Sequence, residues 1–339
     1  MKKIILIAGF LIIQVMISCT NQHWSFPDFD YTTTYFPYQF PVRTLVLGDY
    51  IYDNANDNAH KFIISVAMGG VYENTKNRVF DFEVDESLCA RIKFSSAGDT
   101  IQALPASYYS LNPSGKITIP AGKYNGGVEV QLTDAFFNDP LAIKNKYVVP
   151  LRLVSSADVD SILTGEPALP GADPRVSTQW NIVPKNFTMF AVKYINEYHG
   201  TYFYYGSSSV KDASNAVLES TTYSAAYVEQ NPTAKLVTTA RNQVSLTTNL
   251  HSAVMPGQVK MLLTFTGNNC VITAAPGSPF TVSGTGEFKS KAYEWGNKQR
   301  DGIMLNITVS NGVNTYTASD VMVIRDRGVA MEVYDPVVY

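Results

Sequence analysis

Residues 78–86, RVFDFEVDE, alternate strictly. Val79, Asp81, Glu83 and Asp85 fall on one side of an extended chain, and Phe80, Phe82 and Val84 on the other. Such a pattern can bury one face only as a strand. It recurs in short pieces, separated by turn signals about every ten residues, and no helical period in the body of the chain lasts two turns. The composition agrees: Tyr (21) and Phe (17) are frequent, with many Thr and Val, the residues that fill half-buried strands. An all-β fold is therefore predicted, and 339 residues exceed the usual size of one domain, so two are expected.

In chain order, residues 35–47 read as an extended segment that Pro37 and Pro41 confine to a sheet edge or a strand start. Residues 61–70, KFIISVAMGG, read as a buried strand ending in a glycine pair. Residues 117–137 give two strands around a glycine-containing loop, and 146–156 another. These predict an antiparallel β-sandwich over 33–155. Residues 156–185 hold several Pro and Gly and few strand formers, as a linker or a loop laid against a neighbour would, and the domain boundary is placed there. From 186 to 339, eight to ten short strands are expected, including one around 225–230. Two-residue turns such as Asn311-Gly312 join several of them, which suggests a meander closed into a β-barrel.

The N-terminus fixes the expected location. Lys2 and Lys3 precede an apolar run, 4–17, broken only by Gln14; it is too short to span a bilayer but suits a signal peptide. Met16-Ile17-Ser18-Cys19 then resembles a bacterial lipobox, which implies a signal peptide at 1–18, lipidation of Cys19, a tether over 19–32 and a soluble body held at a membrane. Removing Lys2 and Lys3 from the 26 basic residues leaves 24 against 29 acidic ones, with no basic stripe, so a nucleic-acid partner is disfavoured. Cys89 and Cys270, far apart in sequence, are read as buried free thiols in strands, an inter-domain disulfide being the lesser alternative.

No chemical signature emerges. The oxygen-rich stretch 52–60 fails the calcium-loop template, because counting from Asp53 puts Ala55 at position three and Ile64 at twelve. It reads as a loop whose Asn and Asp cap its own turns. His23, His60, His199 and His251 lie in no nucleophile context. Glu287, Glu294 and Asp301 read as surface charge rather than a glycosidase pair. Ser283-Gly284-Thr285-Gly286-Glu287 reads as a hairpin turn rather than a phosphate cradle, and Trp295 either as lining a barrel mouth or as a lid on the core, the latter with Arg300 and Asp301 paired to hold the following turn. No catalytic residue, metal site or cofactor is expected. Aromatic rings that stack on sugar faces are the place for a binding function, and the candidates are Trp180, Tyr202, Tyr204, Tyr205 and Trp295. In residues 200–206, GTYFYYG, Tyr202 and Tyr204 share one face and Phe203 and Tyr205 the other, so one pair must fill the barrel.

The stretches TIPAGKYNGGVEVQLTD (118–134) and YVVPLRL (147–153) resemble the N-terminal immunoglobulin-like domain of a class of Bacteroidota surface lipoproteins. The stretches NEYHGTYFYYG (196–206), VSGTGEFKSKAYEWGNKQRDGIMLNITV (282–309) and VMVIRDRG (321–328) resemble the lipocalin-like β-barrel domain that follows it, and both domains are of unknown function. The resemblance implies an immunoglobulin-like sandwich and a lipocalin-like barrel at the outer-membrane cell surface. Its setting is nutrient uptake beside a TonB-dependent porin and its lid lipoprotein, with a glycan or an oligopeptide as ligand. An adhesive or structural role, an apolar ligand inside the barrel, and an unrecognised hydrolase are the alternatives.

Overall fold

The computed structural model describes residues 29–339. The expected signal peptide, the lipidated Cys19 and most of the tether lie outside the described residues. Almost every described element is a strand, and among the described residues no helix is long and apolar enough to cross a membrane.

Two layers make the N-terminal sandwich. One contains the strands Thr33–Tyr35, Lys61–Gly69, Asn125–Leu132 and Tyr109–Asn112. The other contains Lys116–Ile119, Arg78–Val84, Tyr147–Ser155, Phe187–Ile195 and Pro41–Val46. Hydrogen bonding passes between them at a single pair, Thr118 opposite Gly127, where the sheet turns a corner. A Cβ on Gly126 would stand 2.0 Å from the Thr118 carbonyl oxygen, so the backbones can approach this closely only through glycine. Phe62, Ile64, Val128 and Val130 from one layer meet Phe80, Ile117, Val149 and Leu151 from the other in the main core. The alternation seen in 78–86 is kept: Phe80 and Phe82 point inward, and Asp81 and Glu83 outward.

Tyr147–Ser155 is apolar on both faces because its layer is covered on both. Val148, Phe187, Met189 and Ala191 pack under Leu88, Ile92, Phe94, Ile101 and Tyr334 on the outer side. Pro41 does stand at the first position of its strand, where its missing N–H costs no ladder bond.

Three boundaries differ from expectation. Phe187–Ile195, read as the opening strand of the barrel, is hydrogen-bonded between Tyr147–Ser155 and Pro41–Val46 in the sandwich. The chain's last residues also return there, with Glu332–Val333 pairing Pro41–Val46 and Val337–Val338 pairing Ile92–Lys93. Residues 156–185, where the boundary was placed, are not a linker between two bodies but the alternative, a loop laid against a neighbour. They lie along the sandwich, pairing Ser161–Ile162 with Thr33–Tyr35 and anchoring the Arg175 guanidinium on the carbonyls of Leu88 and Ala90. Local composition reported few strand formers, but it could not report that neighbouring backbone edges were there to receive them.

The barrel is an antiparallel meander of eight strand positions, from Gly200–Lys211 to Thr315–Asp326, closed by the pairing of those two strands along their full length. One position is interrupted. Tyr223 pairs with Gly206 and Thr233 with Phe203, so residues 224–232 leave the sheet as an excursion with a 3-10 turn at Val228–Gln230. A strand was expected at that point. Side chains fill the barrel, among them Tyr202, Tyr204, Leu246, Met261, Phe265, Leu305 and Met322. Tyr202 and Tyr204 are thus the inward pair of GTYFYYG, and Phe203 turns outward against Trp295.

Two turns are exchanged relative to the sequence reading. Ser283–Glu287 is not a hairpin but the middle of the long strand Thr281–Trp295, where a Cβ on Gly284 would meet the Asn306 carbonyl at 2.3 Å. Asn311-Gly312 belongs to a four-residue connection between Lys298–Ser310 and Thr315–Asp326. A true two-residue hairpin occurs at Gly296-Asn297, both at positive φ (61° and 56°), between the paired Trp295 and Lys298. Both remaining cysteines are free thiols; Cys270 is in a strand as expected, but Cys89 sits in the 3-10 turn Glu86–Cys89.

Candidate functional site

The Gly296-Asn297 hairpin is the tip of a bent arm. Pairing between Thr281–Trp295 and Lys298–Ser310 slips between Lys289 and Tyr293, and the extra residues bulge out with Lys291 at positive φ (51°). Asp301 holds the bulge, accepting hydrogen bonds from the Lys291 N–H (2.8 Å) and the Ser290 hydroxyl (3.2 Å). Gly302 leaves room for the Tyr293 ring, which a Cβ there would meet at 2.5 Å. The arm bends over the end of the barrel that faces the sandwich.

Under it lies a cleft of about 460 Å³. Its walls are the arm residues 298–301, the end of the last barrel strand (324–329), and the sandwich loop 49–52. Tyr202 and Phe288 reach it from the barrel side. The two domains are fixed across it by Arg327, 6% exposed, whose Nη1 donates to the Asp49 carbonyl (2.9 Å) and whose Nη2 donates to the carbonyls of Leu47 (2.9 Å) and Asn196 (2.6 Å). Three carbonyls, two of the sandwich and one of the link that leaves it, meet one planar donor at the barrel's end, an arrangement a lysine could not reproduce.

The loop 49–52 owes its shape to the stretch read as oxygen-rich. Asn54 donates to the carbonyls of Val46 (2.7 Å) and Gly48 (2.8 Å), and the Asn58 oxygen accepts from the Gly48 N–H (2.8 Å). Asp57, buried, takes the Val46 N–H (2.9 Å) and the Arg43 guanidinium. The amides and the carboxylate are thus occupied in capping local backbone. Held in this way, the loop presents Ile51 and Tyr52, 72% and 67% exposed, with Tyr50 packed edge-on to Tyr52 at 5.3 Å.

The five candidate aromatics do not converge. Trp180 lies far along the chain, in the segment laid on the sandwich, with its indole N–H on the Asp173 carbonyl (2.8 Å). Tyr202 is 1% exposed, and its hydroxyl donates to the Tyr198 carbonyl (2.8 Å). Tyr204 is buried deeper in the barrel on Asp320, and Tyr205 is half-buried on the barrel's outer side. Trp295 does not line the cleft but lies beneath Arg300, which does: its indole N–H is fixed on the Ile324 carbonyl (2.9 Å), Phe203 abuts it edge-on at 5.2 Å, and the Arg300 guanidinium lies over its ring at 4.2 Å. Trp295 therefore acts as a seat for Arg300. The expected Arg300–Asp301 pairing is replaced by this stacking, since Asp301 serves the bulge.

The sequence reading missed Tyr50, Tyr52 and Arg327, and assigned Arg300 another partner. Only proximity in the fold joins residues 49–52 to 298–301 and 324–329.

The carboxylates considered for hydrolysis are engaged structurally: Glu287 with Lys289 (3.3 Å), Glu294 with the Gln299 amide (3.3 Å) and Asp301 at the bulge. His199 accepts the Thr238 N–H at Nδ1 (3.1 Å), and burial pushes its imidazole down to about 4, so it stays neutral. Elsewhere inside the barrel Asp320, 1% exposed, accepts from the hydroxyls of both Tyr204 and Tyr223, and burial raises its carboxyl to about 6.

These observations define a two-domain all-β protein, a sandwich closed onto a barrel through a shared cleft. A crystal structure of a protein of unknown function from Bacteroides ovatus superposes on it with a TM-score of 0.85 at 35% identity, covering 92% of this chain and all of that one. The chain belongs to the family of that protein. The family model DUF5627, a domain of unknown function, matches residues 197–328, and a second model, described as an N-terminal domain, matches residues 29–160. A multidomain protein including DUF1735 from Bacteroides ovatus is much more distant, at 13% identity and a TM-score of 0.43 over 89% of this chain and all of that one. No curated protein matches the chain.

Proposed function

We propose that this protein is a non-catalytic surface lipoprotein that binds oligosaccharide in the cleft between its sandwich and its barrel. The observation that carries the reading is the cleft itself. It is an open space of about 460 Å³ with the exposed Tyr52 and Ile51 and the half-buried Tyr50 on one wall and charged and amide side chains at 298–301 on the other. Sugars offer apolar C–H faces to rings and hydroxyls to such groups, and a cleft open at the side admits one stretch of a longer chain. The packed barrel interior argues against an enclosed apolar ligand. The structural engagement of Glu287, Glu294 and Asp301 argues against a glycosidase pair.

Anchoring through Cys19 at the outer membrane, and partnership with a TonB-dependent porin and its lid lipoprotein, complete the proposal. They rest on the lipobox-like N-terminus and the lipoprotein resemblance of the sequence. Tethering would raise the concentration of captured oligomer beside an importer.

The test is binding of an oligosaccharide panel by the full-length protein and by Tyr52→Ala. Retention of at least one glycan, weakened tenfold or more by the substitution, is expected; equal retention by both removes the cleft from the reading. Isolation of the lipidated protein from solubilised outer membranes, with its companions identified by mass spectrometry, is expected to recover the porin. Its absence would overturn that partnership.

A further inference from the structure

The chemistry of the cleft points beyond glycans in general. Four cationic side chains line it, Lys298, Arg300, Arg325 and Arg327, with four carboxylates, Asp49, Glu197, Asp301 and Asp326. Their commitments differ. Arg327 is spent on three carbonyls, Arg325 pairs with its neighbour Asp326 (3.4 Å), and Asp301 holds the bulge. Arg300 is held by stacking, which leaves its charge unneutralised: among the described residues it forms no ion pair, and its Nε–H is buried without an acceptor. The Nε–H of Arg327 is unmet as well, so what sets Arg300 apart is its unpaired charge rather than the unmet donor. Lys298, on the same edge of the arm, also lacks a carboxylate partner among the described residues.

A planar guanidinium fixed on an indole face is preorganised for an oxyanion, because its fork matches two oxygens and the ring fixes its plane. The arm provides that fixity. The bulge held by Asp301 sets its bend, and Trp295 is itself pinned by its bond to Ile324. We propose that the cleft selects oligosaccharides bearing an acidic substituent, and that Arg300, seated on Trp295 with Lys298 beside it, receives the oxyanion while the tyrosine wall takes the sugar rings. This rests on the oligosaccharide reading above and narrows it. A uronate carboxylate and a sulfate ester share the required chemistry; Asp49 and Glu197, across the cleft, would repel a second acidic unit, favouring one anion at the Arg300 end.

The experiment measures calorimetric binding of full-length protein to two matched ligand pairs. One pair is oligogalacturonides and their carboxyl-reduced counterparts; the other is κ-carrageenan oligosaccharides and their desulfated counterparts. At least tenfold tighter binding of the acidic member of one pair is expected, with that ratio collapsing in Arg300→Gln and falling with added salt. The pair that discriminates names the anion. Equal affinity for acidic and neutralised members, with Tyr52→Ala weakening both, overturns the acidic selectivity and leaves the oligosaccharide reading intact. Failure of all four ligands, and of the broader panel, overturns both. Because the ligand pairs test the charge on unaltered protein, the result does not depend on the variant folding.

Discussion

Asp320 is a carboxylate sealed inside the barrel with two tyrosine hydroxyls and, among the described residues, no cationic partner, and Asp320→Asn tests what that costs. Burial raises its carboxyl from the usual 3.8 to about 6, the two hydroxyl donors only partly offsetting the loss of water. With the folded value above the unfolded one, the native state holds the proton more tightly between those values. Stability contributed by this group is therefore full below about pH 4 and is lost as pH rises through about 6. The displacement is worth about 3 kcal/mol. An asparagine keeps the shape and an acceptor for one tyrosine, and its amide can donate to the other, so it imitates the protonated acid at every pH. At pH 7 the variant should equal or exceed the parent, by up to about 3 kcal/mol, and near pH 4 the two should converge. Urea denaturation of both proteins across pH 4–7 measures this. The difference between them cancels carboxylates such as Asp158 and Asp173, whose lowered values make stability rise with pH. A difference that stays flat across that range, or an asparagine variant several kcal/mol weaker at pH 7, would refute the reasoning.

Other consequences follow from single contacts. Arg327→Met removes three hydrogen bonds that cross the domain junction and should cost about 3 kcal/mol or more, with new proteolytic cleavage near residues 196–200; unchanged stability and protease resistance would refute the lock. Gly126→Ala should cost about 3 kcal/mol, since its Cβ meets the Thr118 carbonyl at 2.0 Å, whereas Gly122→Ala meets nothing within 4 Å and should cost about 1 kcal/mol for its positive φ; paired thermal melts check the contrast. Burial pushes the Cys89 thiol up to about 12 and Cys270 to about 11, so in native protein at pH 8 both should react with a disulfide reagent far more slowly than after unfolding, as absorbance of the released thiolate would record.

The sequence by itself determined what depends on neighbours along the chain. Alternation placed Phe80 and Phe82 on one face and Asp81 and Glu83 on the other, and the same rule set Tyr202 and Tyr204 on one face together, while only the structure showed that face to be the barrel interior. The density of strands and turns conveyed an all-β chain and a closed antiparallel barrel, because period-two burial is written locally. Tertiary structure decided everything that needed a distant partner. Phe187–Ile195 is a good strand in either domain; the free edges of Tyr147–Ser155 and Pro41–Val46 claimed it. Gly284 and Gly286 look like turn residues until an opposing strand is found pressed against them. At the cleft the same limit applies to function. Trp295 as a residue type suggested a platform for sugar, but the cation lying on its ring comes from across a hairpin, and the tyrosines of the cleft's facing wall come from another domain, about 245 positions earlier in the chain. Side-chain chemistry is local, whereas the surface that chemistry faces is made by long-range packing, which one-dimensional periodicity does not encode.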